Sequence, residues 1–189
     1  MSKVSLSMSM SLDGFIRDQM GDERLYDGEY DASELLEELI RDTGAVLMGR
    51  NAYEMSGDPD WYADNYEYQV PIFVATREAP RKSPKQTDRL TFTFVTEGLE
   101  RAVEQAKAAA GDKQVTVIGG ANIAQQLLVD GLLDEIQIGI MPVLLGDGLR
   151  LFEHLGGRRI RLEKLKIKES GPRTDVWFRV VKRALNENS

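Results

Sequence analysis

The sequence predicts an α/β fold with a mostly parallel central sheet, helices on both faces and an antiparallel C-terminal strand. Strand-like and helix-like patterns alternate along most of the 189 residues, as repeated strand–helix units do. Several strand patterns ("AVLMG", "IFVAT", "VTVIGG") are continuous apolar runs, the mark of strands buried on both faces. The alternation then stops. "RIRLEKLKIK" and "DVWFRVV" follow one another with no helix between them, so they pair antiparallel.

The first strand lies in "VSLSMSMSLDGFI", where Val4, Leu6, Met8, Met10 and Leu12 alternate with serines. Its second face carries only small hydroxyls, which leaves room beside it, and Asp13-Gly14 after it is a turn signal. "SELLEELIRDTG" sets Leu35, Leu36, Leu39 and Ile40 on one helical face, with Ser33 as N-cap and Gly44 as stop. "NAYEMSGDPDWYADNYEYQVP" reads as loop and short helix, and "LTFTFV" as a strand. "GLERAVEQAKAAAG" turns Leu99, Ala102, Val103 and Ala106 inward, and "ANIAQQLLVDG" is a further helix closed by Gly131. "DEIQIGIMPVLLGDGLRLFEHLGG" carries a strand and a short helix. In "RIRLEKLKIK" the apolar phase shifts between Leu162 and Leu165, which predicts a β-bulge. One domain is expected over residues 1–183, with 184–189 as a disordered tail.

A chain of this length buries about 70% of the surface its unfolded form exposes. The net charge of -7 argues against nucleic acid and anionic membrane as partners. With no cysteine and a single histidine, disulfides, thiolate nucleophiles and Cys-based zinc sites are excluded, and no metal site is expected. No apolar run approaches the roughly 20 residues of a membrane span. Serines interrupt the N-terminal apolar stretch, unlike a signal peptide, so a cytoplasmic location is expected.

The strongest chemical signal is "VTVIGGANIAQQLL", a strand that ends in two glycines just before a helix. Such a turn lets the backbone approach an anion, whose charge then meets unpaired helical N–H groups. A tight strand–helix turn with no ligand explains the residues equally well, and the G-x-G-x-x-G spacing is absent. "AVLMGRNAYE" delivers a second strand-end glycine followed by Arg50, an arginine that capping alone explains more simply. Two such ends in one parallel sheet lie on the same edge, where open α/β folds bind ligands. Arg77, Arg81 and Lys82 in "VATREAPRK" follow a third strand end, either as an exposed basic loop or as a clamp for an extra phosphate. Trp61, Tyr62, Tyr66 and Tyr68 read as aromatic packing ahead of a substrate cover. The basic strand from Arg158 to Lys168 reads as a solvated face. His154, near a helix end, is given no catalytic role.

In their order and spacing, "SMSLDGFI", "VLMGRNAYE", "IFVATR", "VTVIGGANIAQQLL" and "IMPVLLGDGLRLF" resemble the dihydrofolate reductase-like superfamily. The resemblance is closer to the C-terminal reductase domain of RibD, from riboflavin synthesis, and its stand-alone relatives, and it spans nearly the whole chain. It implies an NADPH-dependent reductase acting on a small-molecule substrate, and a homodimer, which base rates for soluble oligomers also favour. Gly49, Arg50 and Asn51 would face the cofactor phosphates. Ile118, Gly119, Gly120, Ala121, Asn122 and Ile123 would hold the pyrophosphate and neighbouring ribose, and Thr76 and Arg77 the 2′-phosphate end. Ser11, Asp13, Pro142, Leu144 and Gly146 would border nicotinamide and substrate, with Asp13 as the catalytic residue that orients or supplies a proton. The acceptor would be a C=N or C=O carbon, as in reduction of 5-amino-6-(5-phosphoribosylamino)uracil. A dihydrofolate or pterin reductase and a catalytically inactive nucleotide-binding module are the alternatives. Ser33, where dihydrofolate reductases carry an acid, counts against folate. Ala52, where the family's "MGR-x-T" has threonine, favours the inactive module, as Ser33 does too.

Overall fold

β1 (Val4–Ser11) and a short β2 (Phe15–Arg17) lead to α1 (Ser33–Asp42), which passes directly into β3 (Thr43–Gly49). Two short helices, α2 (Arg50–Glu54) and α3 (Trp61–Asn65), precede β4 (Ile72–Ala75) and β5 (Phe92–Val95). Then come α4 (Leu99–Ala110), β6 (Gln114–Val117), α5 (Ala121–Val129) and β7 (Glu135–Met141). β8 (Leu149–Arg150), β9 (Arg161–Ser170) and β10 (Arg173–Val181) close the chain. This computed structural model describes residues 2–22, 24, 25, 28 and 31–182; the tail expected at 184–189 lies outside them. No described helix is long and apolar enough to cross a membrane.

Eight strands form one sheet in the order β5-β4-β3-β6-β1-β7-β10-β9. The pairings from β5 to β7 are all parallel, whereas β10 runs antiparallel to both β7 and β9. The expected mostly parallel sheet is therefore present, with the C-terminal strand as the reversed one and β9 at the edge. Helices cover both faces because each presents one apolar stripe. On one face α4 buries Ala102, Val103, Ala106 and Ala110, and α5 buries Ala124, Leu127 and Leu128, against Val4, Leu6, Leu47 and Val117. On the other, Val46, Met48, Ile72 and Val74 pack against Tyr53, Tyr62, Tyr66 and Tyr68, with Leu39 and Ile40 of α1 alongside. The tyrosines stack and cross at 5.1–5.8 Å, so their role is core packing, as the sequence suggests. Their hydroxyls are less well served, since those of Tyr53 and Tyr66 are buried with no partner among the described residues.

The serine face of β1 is filled from within. Ser7 Oγ donates to Gln137 Oε1 (2.5 Å), and Gln137 Nε2 donates to Asp175 Oδ1 (2.5 Å). Arg173 holds Asp175 through Nε and Nη2 at 2.8–3.0 Å and donates from Nη1 to Ser9 Oγ (2.9 Å). Asp175 is 0% exposed, so its charge needs this guanidinium, and hydroxyls small enough to fit beneath it. Gly139 makes the space, because a Cβ there would lie 2.2 Å from Arg173 Cζ. The expectation that small serines open onto a ligand cleft is therefore corrected: they make room for the protein's own arginine and glutamine.

The bulge falls where the apolar phase shifts. Trp177 pairs with Lys166 and Phe178 with Lys164, which leaves Leu165 unpaired. Lys166 then lies over the Trp177 ring at 4.2 Å, and Lys166 and Lys168 face Glu38 and Glu34 of α1. The edge is thus partly an ion-paired lid on α1 rather than only a solvated face. Two other expectations change. "LRLFEHLGG" forms no helix; Leu149 and Arg150 pair antiparallel with β2, and His154 sits in a loop at φ 55°. Gly44 does not stop α1 but lies inside β3, where a Cβ would meet the Ala110 carbonyl at 2.4 Å.

Arg173→Met strips Asp175 of its cation and is expected to destabilise the fold by about 3–5 kcal/mol in urea unfolding. Replacing the pair together, Arg173→Met with Asp175→Leu, should recover most of that loss. Tyr53→Phe should behave oppositely to most core truncations. It removes a buried hydroxyl that bonds nothing among the described residues, so stability is expected to hold or rise by up to about 1 kcal/mol.

Candidate functional site

Parallel strands end together, and the ends of β3, β4, β5 and β6 open on a cleft of about 830 Å³. Gly49, Arg50 and Asn51 line it after β3, Thr76 and Arg77 after β4, Thr96 after β5, and Gly120, Asn122 and Ile123 at the start of α5. Eight of the residues expected to hold a cofactor thus meet in one place. Ile118 and Gly119 lie on a neighbouring cavity, and Ala121 is buried.

Two close approaches shape this edge. A Cβ on Gly49 would stand 2.7 Å from Ile123 Cγ1, so only glycine lets α5 lean on the end of β3. A Cβ on Gly119, which sits at φ 75°, would stand 2.7 Å from Ala52 Cβ. Gly120 (φ 86°) is the N-cap of α5, and no side chain among the described residues caps the helix, so its first-turn N–H groups remain available to an anion. The ambiguity between a bare turn and an anion cradle is thereby narrowed: these turns open on a cleft.

Charge in the cleft is unevenly committed. Arg50 donates to Glu54 Oε1 (2.5 Å) and to the Glu78 carbonyl (2.8 Å), which fixes it across the cleft wall. Arg77 is exposed on the lining and has no partner among the described residues. Lys82 does not take part: it pairs with Asp60 at 2.7 Å, and neither it nor Arg81 lines the cleft. The expected three-cation clamp reduces to Arg77. Its acidic neighbours Glu54 and Glu78, also on the lining, were not singled out by sequence, because nothing local marks them.

Beside the cleft lies a second cavity of about 460 Å³, walled by Met48, Met55, Trp61, Tyr62, Tyr66 and Ile118 and closed by Ala52, Ser56 and Gly119. Consecutive residues serve both spaces: Asn51 and Gly120 face the cleft, Ala52 and Gly119 the cavity. Trp61 and Met55 stay 41% and 57% exposed at its rim. Sequence favoured packing for the aromatics and passed over Met55, since α2 and α3 are too short to show a periodic face.

The residues expected around the substrate are arranged differently. Ser11 is 0% exposed; it donates to Asp13 Oδ1 (2.6 Å) and accepts from the Phe15 amide (2.9 Å). Asp13 also accepts from the Leu145 (3.2 Å) and Gly146 (2.8 Å) amides, and so ties the end of β1 to the loop after β7. The Ser11 hydroxyl, with the Gly146 and Leu145 amides, lowers its carboxyl to a pKa of about 2. A carboxyl so placed is ionised at neutral pH, and the contacts it makes are those that tie down the loop after β7. Pro142, Leu144 and Gly146 line neither space; Leu144 is 69% exposed, and Gly146 serves the tie to Asp13.

A family model for the RibD C-terminal domain matches residues 2–176. The uncharacterized protein YwjB of Bacillus subtilis is 27% identical over 173 residues, 87% of this chain and 91% of its own length. A candidate riboflavin biosynthesis protein of Shewanella sp. PV-4 superposes with a TM-score of 0.74 at 22% identity, over 96% of this chain and 100% of that one. A pyrimidine reductase-like protein of Corynebacterium diphtheriae gives 0.65 at 14% identity, over 96% and 93%. The fold is dihydrofolate reductase-like, of the RibD type.

A depressed folded pKa at Asp13 means that the loop tie is complete above the unfolded value of 3.8 and is lost as pH falls towards 2. The amide resonances of Leu145 and Gly146 should therefore titrate with a midpoint near 2. Asp13→Asn should abolish that titration and leave one of the two amides unpaired.

Proposed function

The chain belongs to the RibD C-terminal domain family, and from that premise we propose that it is an NADPH-dependent reductase acting on a small heterocycle. The observation that carries this reading is the cleft, where glycine turns, an uncapped helix start and an uncommitted arginine converge at one sheet edge. Those features fit a dinucleotide: N–H groups at Gly120–Ile123 and Arg50 for the pyrophosphate, Thr76 and Arg77 for the phosphate on the adenosine ribose. When bound, the dihydronicotinamide supplies the hydride. The chain's own residues align the two reactants and keep water out. Asp13, held ionised, fixes the loop after β7 rather than moving a proton. The acceptor is a C=N or C=O carbon of the kind that 5-amino-6-(5-phosphoribosylamino)uracil presents to reductases of the riboflavin type.

NADPH should bind more tightly than NADH by roughly ten-fold or more, equivalent to about 1.4 kcal/mol for each factor of ten. Arg77→Ala should narrow that preference towards unity. Equal affinity of the native chain for both cofactors, read by calorimetric titration, would overturn the assignment.

A further inference from the structure

We propose that a cavity at the far edge of the sheet from the cleft is a second ligand site, taking a small uncharged carboxamide with a short apolar branch. The space, about 220 Å³, lies where β1, β6 and β7 begin, between α1 and the β9–β10 pair. The cleft occupies the opposite ends of the parallel strands, so the inference goes beyond the reductase reading and does not depend on it.

The uncharged polar groups on the lining are the ones left without partners. Ser7, Ser9 and Ser11 are all taken up by the protein's own side chains. Ser5 completes that face of β1 and is only 5% exposed, yet its hydroxyl bonds nothing among the described residues. Trp177 is 9% exposed, with Lys166 over its ring, and its indole N–H has no acceptor among them. Gln114 donates from Nε2 to Thr116 Oγ1 (3.3 Å), and its carbonyl oxygen is likewise unpartnered among the described residues. Buried hydroxyls and indoles are ordinarily bonded, so these groups mark a place for an occupant. A carboxamide answers all three. Its carbonyl accepts from Trp177 and Ser5, and its N–H groups donate to Gln114.

The charged groups on the lining are committed. Lys3 pairs with Glu135 at 2.8 Å, Lys166 with Glu38 at 3.6 Å, and Asp42 with Arg41 at 3.3 Å. A charged ligand would have to break one of these pairs or lie among them uncompensated, so the occupant is neutral. Leu35, Leu39 and Leu165 supply the apolar part of the wall, and the bulge that leaves Leu165 unpaired is what places it there. The volume equals that of about seven waters and falls below the range of drug-sized pockets, which suits a small branched amide.

Isovaleramide is the probe, set against isopentylamine and isovalerate, which keep its branched chain but carry a positive and a negative charge. In proton–nitrogen correlation spectra of the full chain, isovaleramide should move the Trp177 indole N–H signal downfield. The signal of Trp61, the other tryptophan, should stay in place. Both charged analogues should bind more weakly by roughly ten-fold or more. Ser5→Val fills the space with a residue suited to a strand, and should abolish the response while thermal stability holds or rises. Ser5→Ala removes only the unpartnered hydroxyl, and should weaken isovaleramide binding by roughly three-fold or more with no loss of stability. A Trp177 signal unmoved by isovaleramide overturns the proposal. So does a charged analogue that binds as tightly as the amide, or a response undiminished in both Ser5 variants. Failure of NADPH to bind the native chain would remove the reductase reading and leave this site as it stands.

Discussion

The site depends on two backbone contacts closer than any side chain permits. At Gly49 the end of β3 meets Ile123 of α5, and at Gly119 the end of β6 meets Ala52 of α2. Each strand end is therefore pressed against the helix that follows the other strand. The two turns hold one another in place, and the seam between them is the common wall of the cleft and the cavity. The positive φ angles of Gly119 and Gly120 belong to the same constraint, because the chain must reverse within two residues to start α5 against that wall. Removing either glycine would disturb both spaces at once.

Behind this edge, the sheet is tied together by polar groups where apolar ones would be expected. Ser7, Ser9, Gln137, Arg173 and Asp175 link three neighbouring strands through side chains, at right angles to the backbone ladder. Their hydrogen bonds satisfy a buried carboxylate and fix the register of the reversed strand, because the Arg173 side chain can lie flat only over Gly139, the residue that pairs with Asp175. The loop after β7 is anchored separately, by Asp13.

Much of this was legible in the sequence. Buried strands announce themselves by continuous apolar runs, the bulge by a phase shift, and the cleft by glycines and an arginine at strand ends. Those signals are local, and the features behind them are local too. The serine face misled because alternation gives a side chain's direction but not what lies opposite. Gln137 and Arg173 are 130 and more residues away in sequence from the serines they bond. Lys82 misled for the same reason, since its partner Asp60 belongs to another segment. The apolar cavity left no trace, because Met48, Met55, Trp61 and Ile118 come from four separate segments that only the fold brings together.

The bulge at Leu165 has a consequence for how β9 can change length. Up to Lys164, odd-numbered residues share the face of Trp177 and Arg179, as Glu163 does opposite Arg179; from Lys166 onward, even-numbered ones do, and there Lys166 and Lys168 meet α1. Leu165 is the position at which this parity switches. Deletion of Leu165 would restore an unbroken ladder and leave every remaining neighbour facing as before. Deletion of Lys164 or Lys166 would close the ladder too, but would carry Leu165 into the vacated place opposite Phe178 or Trp177. A residue lost elsewhere in β9 would turn over every side chain between it and the bulge, so this edge shortens most readily at the bulge itself.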